Sequence, residues 1–155
     1  MSAGHPDHAL AGRIEQGIHR LDLRIYWEDT DAGGIVYHAG YVRFMERGRT
    51  DFLRLAGIRQ SELAAGPDGI LFAVRHMELD FLKPARLDDL LQVTTAVEEI
   101  AGARLVMRQA VHRSGETLVA ARVTVAAISP EGRPRRIPMP IRAALSGGDP
   151  PAASG

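Results

Sequence analysis

The sequence predicts an α+β fold in which one long helix lies across a curved antiparallel sheet. Three observations predict it. Apolar residues recur at helical spacing from Ala39 to Ile58, about five turns. From Ile70 to Ile128 the alternation has a period of two, the mark of half-buried strands. Helix and strand patterns are therefore segregated along the chain, not interleaved. One helix covers only part of such a sheet, so the remaining apolar surface is expected to meet a second copy of the chain.

Each element follows from its residues. Residues 1–19 are mixed and rich in Gly and His, without the apolar core of a secretory signal, and are expected as a flexible arm. From Leu21 to Trp27, apolar Leu21, Leu23 and Ile25 run out of phase with Asp22 and Arg24, which predicts a strand. An acidic turn follows, and then a helix from about Ala39 to Leu55 that ends at Gly57, a residue suited to a helix C-terminus. Gly48 in its middle costs about 1 kcal/mol relative to Ala. That suits a helix pressed closely against a flat surface, with a merely tolerated glycine as the equal alternative. Ser61 to Gly66 fits a short helical turn, and Gly66-Pro67-Asp68-Gly69 is turn chemistry. Strands are then expected at Ile70–Leu82, Leu90–Ile100, Arg104–Arg113 and Thr117–Ile128. Ala101-Gly102 and Ser114-Gly115 supply the turns between the last three. Four prolines among arginines occupy 130–140, and residues 143–155 are expected as a flexible tail, leaving one domain at 20–142.

Composition removes several classes of function. At 155 residues the chain suits one domain with a real core. Its formal net charge is +0, so no global field attracts nucleic acid or an anionic membrane. No apolar run approaches the roughly 20 residues that span a bilayer. With no cysteine, disulfides, thiolate nucleophiles and Cys-ligated metals are excluded. A cytoplasmic protein is the expectation.

The residues richest in chemistry lie on the crossing from the first strand to the helix. Asp29 and Asp31 are two apart in a turn, where a carboxylate routinely accepts hydrogen bonds from backbone amides. Asp31 precedes Ala32-Gly33-Gly34, where little side-chain bulk blocks access. A carboxylate so placed could attack an acyl carbon or activate a water. His38 falls at the start of the helix, either as a polar plug or as a hydrogen-bond donor to a carbonyl or leaving group. Tyr37 and Tyr41 read as packing residues with a wet hydroxyl end. Asp29, Asp31 and His38 together are a conceivable metal set, but no familiar spacing supports it, and no metal is expected. Arg133, Arg135 and Arg136 suit either a solvated basic turn or contact with phosphates.

Taken together, Tyr26-Trp27-Glu28-Asp29-Thr30-Asp31-Ala32-Gly33-Gly34-Ile35-Val36-Tyr37-His38, then Tyr41-Val42-Arg43-Phe44-Met45-Glu46-Arg47, resembles the signature of hotdog-fold acyl-CoA thioesterases. The family is that of 4-hydroxybenzoyl-CoA thioesterase, and the branch is the YbgC type associated with the bacterial Tol-Pal system. Pro84-Ala85-Arg86-Leu87-Asp88-Asp89-Leu90 also resembles that branch, and the likeness runs from about Leu21 to Ile141. It implies a hotdog domain at 20–142, assembled as homodimers or homotetramers, that hydrolyses a short- or medium-chain or aromatic acyl-CoA without metal or other cofactor. The family's catalytic carboxylate falls on Asp31, as nucleophile or general base, and the branch's accessory histidine on His38. Gly33, Gly34 and Tyr37 are expected at the substrate, and Arg133, Arg135 and Arg136 at the CoA phosphates. A backbone amide near Ile70, Leu71 or Phe72, contributed across a dimer interface, would polarise the thioester carbonyl. The alternatives are a thioesterase acting on acyl carrier protein and a catalytically weak acyl-CoA-binding scaffold.

Overall fold

The computed structural model describes residues 10–66 and 69–147. The chain runs β1 (Arg13–Glu15), β2 (Ile18–Arg24), a 3-10 turn (Trp27–Asp29), α1 (His38–Leu55), α2 (Gln60–Ala65), β3 (Leu71–Phe81), β4 (Leu90–Ala101), β5 (Arg104–Arg113), β6 (Glu116–Ile128) and α3 (Met139–Gly147). The six strands form one antiparallel sheet in the order β1-β2-β4-β5-β6-β3. Register shifts at Val74/His76, Val97/Glu99 and Val111/His112 mark bulges, which increase local twist and bend the sheet around the helix.

α1 is the helix expected from the apolar stripe, and its buried side, including Tyr41, Phe44, Met45, Phe52 and Leu53, faces the sheet. Gly48 is where the two come closest. A Cβ there would lie 3.0 Å from Thr95 Oγ1 and from Val93 Cγ1, and 3.3 Å from Gln109 Nε2. The mid-helix glycine is thus a contact point with β4 and β5, not a tolerated defect. The polar groups under it are paired: Gln109 Nε2–H donates to Met45 O (2.9 Å) and Thr95 Oγ1 (2.8 Å), and Arg49 Nη1 donates to Gln109 Oε1 (3.0 Å).

Both ends of the domain differ from expectation. The sheet begins at Arg13, not near Leu21, because Gln16 and Gly17 take positive φ (55° and 80°) and turn the chain into a hairpin. The arm's residues from Arg13 to His19 therefore belong to the sheet. They are held there by Asp51 of α1, whose Oδ2 accepts the Gly12 N–H (2.7 Å) and lies 2.6 Å from Nε2 of buried His19. At the other end α3 extends to Gly147, past the expected start of the tail at 143, because Ile141 and Leu145 lie one turn apart and are both buried. The rest of the expected arm and tail, residues 1–9 and 148–155, lies outside the described residues, as do 67 and 68 in the Gly66–Gly69 turn. That turn closes with Gly69 N–H donating to Gly66 O (3.0 Å).

β3 sits at one margin of the sheet. It is 11 residues long and partly or fully exposed throughout, and among the described residues only β6 pairs with it.

Candidate active site

The loop from Tyr26 to Tyr37 treats its two aspartates differently. Asp29 is buried, its Oδ2 accepting the Tyr26 N–H (2.9 Å) and its Oδ1 accepting from Arg43 Nη2 (3.3 Å). Its carbonyl accepts the Tyr37 N–H (3.3 Å). Both oxygens are committed to shaping the turn, which withdraws Asp29 from any shared metal set with Asp31 and His38.

Asp31 is exposed. Its N–H donates to Ile35 O (2.8 Å) and its carbonyl accepts the Gly34 N–H (3.0 Å). Gly34 makes that loop possible with φ of +83°, which side-chain-bearing residues rarely adopt. On the side chain, Oδ1 accepts the Gly33 N–H (2.8 Å) and, more weakly, the Ile35 N–H (3.4 Å). Oδ2 has no partner among the described residues. One oxygen orients the carboxylate while the other remains available.

That carboxylate borders a cleft of about 440 Å³ together with Tyr37, His38, Tyr41, Phe81 and Lys83. His38 opens α1, with its ring 4.3 Å from that of Tyr37 and edge-on to Phe81 at 6.0 Å. Two aromatic neighbours thus orient the imidazole without hydrogen-bonding it. Tyr41 is buried, and its hydroxyl accepts the Ala85 N–H (2.9 Å); burial pushes the phenol pKa up, partly offset by that hydrogen bond.

The Pro84–Leu90 segment acts as the frame of this cleft. The Val36 N–H donates to Ala85 O (2.9 Å), and Ile35 pairs with Arg86, so the Asp31 loop is stitched to the segment by backbone. Asp89 locks the segment in turn: its Oδ2 accepts the Arg86 N–H (2.9 Å) and Arg113 Nη1 (2.7 Å). Partial burial alone would raise the Asp89 pKa, but those two partners outweigh it and hold the carboxyl below the usual carboxylate range. Lys83, on the cleft wall, pairs with Glu116.

Of the residues singled out in the sequence, Asp31, Tyr37 and His38 share this cleft, and Gly33 and Gly34 build the loop behind it. Ile70, Leu71 and Phe72 do not reach it within one chain. Leu71 pairs with Ile128 and Phe81 with Val119, at opposite ends of β3, a separation of roughly 33 Å at the usual rise per residue. Ile70 is buried and donates its own N–H to Leu63 O (3.3 Å). Arg133, Arg135 and Arg136 are exposed on the stretch after β6, at the Leu71 end. Sequence reasoning missed Phe81, Lys83 and the Tyr41–Ala85 bond, all brought in by contacts distant along the chain.

The family model described as thioesterase superfamily matches residues 33–120, more than half of the chain. The chain belongs to the thioesterase superfamily. The match takes in α1 and most of the sheet, and its arrangement of helix on curved antiparallel sheet is the hotdog fold. The acyl-CoA thioester hydrolase YbgC of Escherichia coli O6:H1 is 41% identical over 126 residues, 80% of this chain and 92% of that protein. The acyl-CoA thioesterase YbgC of Haemophilus influenzae is 40% identical over 124 residues, 79% of this chain and 90% of that one. Among solved structures, a probable thioesterase from Bartonella henselae matches with a TM-score of 0.75 at 45% identity, covering 78% of this chain and 99% of its own.

Proposed function

We propose that this thioesterase hydrolyses a short- or medium-chain or aromatic acyl-CoA to the free acid and CoA, with Asp31 as its catalytic carboxylate. One observation carries the reading. Asp31 presents to a cleft that it shares with His38 a carboxylate oxygen with no partner among the described residues, while Asp29, two residues away, has both oxygens committed.

The chemistry follows from that oxygen. A thioester carbonyl is already electrophilic. The Asp31 carboxylate either attacks the acyl carbon, forming a mixed anhydride as the C–S bond breaks and CoA leaves as thiolate, or removes a proton from a water that attacks in its place. In the first route water then cleaves the anhydride and regenerates the carboxylate. His38 donates a hydrogen bond to the departing sulfur or the carbonyl.

The oxyanion donor comes from a second copy in this reading. β3 is a long, exposed edge strand, the kind that pairs with another chain. If two copies pair antiparallel along β3 about a two-fold axis, the Leu71 end of one meets the Phe81 end of the other. That would carry the backbone at Leu71 or Phe72 of one copy toward the Asp31 cleft of its partner. The Arg133, Arg135 and Arg136 stretch would travel with it, where arginines suit the CoA phosphates. Ile70 is the weaker donor, because its N–H is already engaged. We place the enzyme in the cytoplasm, where acyl-CoA is made; no helix among the described residues is long and apolar enough to cross a membrane.

The test is a panel of acyl-CoA thioesters, with a thiol reagent reading free CoA. Hydrolysis of at least one, at a rate that survives prolonged dialysis against a chelator, is the expected result. Hydrolysis of acyl carrier protein thioesters alone would reassign the carrier, and binding without turnover would make the protein a scaffold.

A further inference from the structure

We propose that a second cavity, beneath the C-terminal half of α1, receives the acyl group, and that Arg49 there selects short acyl groups ending in a neutral hydrogen-bond acceptor. The inference rests on the dimeric thioesterase reading above and narrows its substrate.

The cavity holds about 180 Å³. Buried Leu105, Met107 and Val125 form its floor, Leu53 and Phe72 its walls, and the more exposed Val74 its rim. Size comes first. A dry apolar cavity of about 150 Å³ accepts benzene, so this one admits a short chain or a single ring and excludes a long fatty chain. Position follows from β3. Phe72 and Val74 lie at the end of β3 that antiparallel pairing would set beside the partner's Asp31 cleft, so an acyl group attacked there has this cavity ahead of it.

The lining is apolar except on the helix side, where Glu46, Arg49, Thr50 and, from α2, Gln60 meet it. Thr50 and Gln60 bond to each other, Gln60 Nε2 donating to Thr50 Oγ1 (3.3 Å). Arg49 is different. It is half-buried, and burial lowers its pKa against the opposing pull of Glu46. Its guanidinium spends one bond on Gln109 Oε1 (3.0 Å), and its other N–H groups have no partner among the described residues. A half-buried cation on the wall of an apolar cavity, with donors to spare, has hydrogen bonds to offer a ligand's acceptor. Glu46, one turn away on the same wall, disfavours a carboxylate there, which leaves a hydroxyl or carbonyl as the complementary group.

The experiment compares kcat/KM for butyryl-CoA, its ω-hydroxy analogue and dodecanoyl-CoA, in the wild type, Arg49→Met and Arg49→Lys. The wild type should favour the ω-hydroxy thioester over butyryl-CoA by about 10-fold or more, as a charged donor with a neutral acceptor provides. Dodecanoyl-CoA should be the poorest of the three. Arg49→Met should bring the pair level and Arg49→Lys should keep part of the preference. These are ratios within one protein sample, so partial loss of folded enzyme does not move them. Should Arg49→Met not fold, the wild-type ratios still decide. Equal wild-type rates on the pair, a ratio unchanged in Arg49→Met, or dodecanoyl-CoA as best substrate would each overturn the inference while leaving the thioesterase reading intact. Failure to hydrolyse any thioester would instead overturn that reading, and this one with it.

Discussion

The middle and the N-terminus of α1 are built on opposite terms. At its middle, Gly48 brings the helix against β4 and β5, and the buried polar groups beneath, Thr95, Gln109 and the Met45 carbonyl, are hydrogen-bonded to one another. At its N-terminus, Asp31 and His38 stand exposed beside a cleft, and one carboxylate oxygen has no partner among the described residues. The seam spends its polar groups on the fold, whereas the mouth keeps them in reserve. Asp29 shows that the division does not follow position along the chain. Lying between the strand and Asp31, it belongs to the seam's kind, buried and doubly bonded.

Substitutions in the seam should damage folding more than chemistry. The largest effect is expected for Gly48→Val, whose added carbons would drive into Thr95 and Val93, both fully buried. Overpacking of that kind costs about 1–3 kcal/mol, and the upper end is expected here. For a domain of this size that is a fall in melting temperature of about 6–12 °C. Gly48→Ala sets the same crowding against a gain of about 1 kcal/mol in helix propensity, so its loss should be clearly smaller. A Gly48→Val protein as stable as the wild type would break the account of the seam.

A smaller effect is expected where the loop begins. Asp29→Asn should lower stability by about 1 kcal/mol, a shift of about 2–4 °C, while kcat/KM stays near wild type. If it lost activity as heavily as an Asp31 variant, the division between the two aspartates would fail.

The smallest concerns the clasp between the β1–β2 hairpin and α1. Burial lowers the His19 pKa below 6.5, and its bond to Asp51 only partly offsets this. The imidazole's Nδ1 is buried with no partner among the described residues, so the folded state favours the neutral form. The unfolded chain then binds the extra proton more readily. Stability is fully present above the unfolded value of 6.5 and declines as pH falls below it. Melting temperatures of wild type and His19→Gln between about pH 5 and pH 8 should show an acid-side fall that is shallower in the variant. Parallel curves would remove His19 from the account.

Much of this division was legible in the chain. The 18-residue helix, the strand alternation and the Ser114-Gly115 turn are local patterns, and the structure reproduces them closely. Gly48 was legible only as one of two equal alternatives, a close approach or a tolerated glycine, because its helix cost shows in the sequence but the surface it meets does not. What the pattern did not carry was long-range. The first hairpin was hidden because its strands alternate charged residues with few apolar ones and depend on Asp51, distant in sequence. The framing of the cleft by Ala85, bonded to Tyr41 and Val36, has no local signature either. Whether Asp29 or Asp31 was the spare carboxylate also turned on the backbone donors of the loop, which residue spacing alone does not reveal.

The central claim is that the mouth of α1 holds a carboxylate with one oxygen that the loop does not use. Asp31→Asn retains the shape and an oxygen for the Gly33 N–H but removes the base or nucleophile. Its kcat/KM on the best acyl-CoA, measured beside its melting temperature, tests the claim directly. The account predicts a loss of about 10²–10⁴-fold with a melting temperature close to wild type, and His38→Ala falling between the two in activity. An Asp31→Asn enzyme that keeps more than about a third of wild-type kcat/KM, far above the loss expected for a missing base, would make Asp31 a turn residue and contradict the assignment.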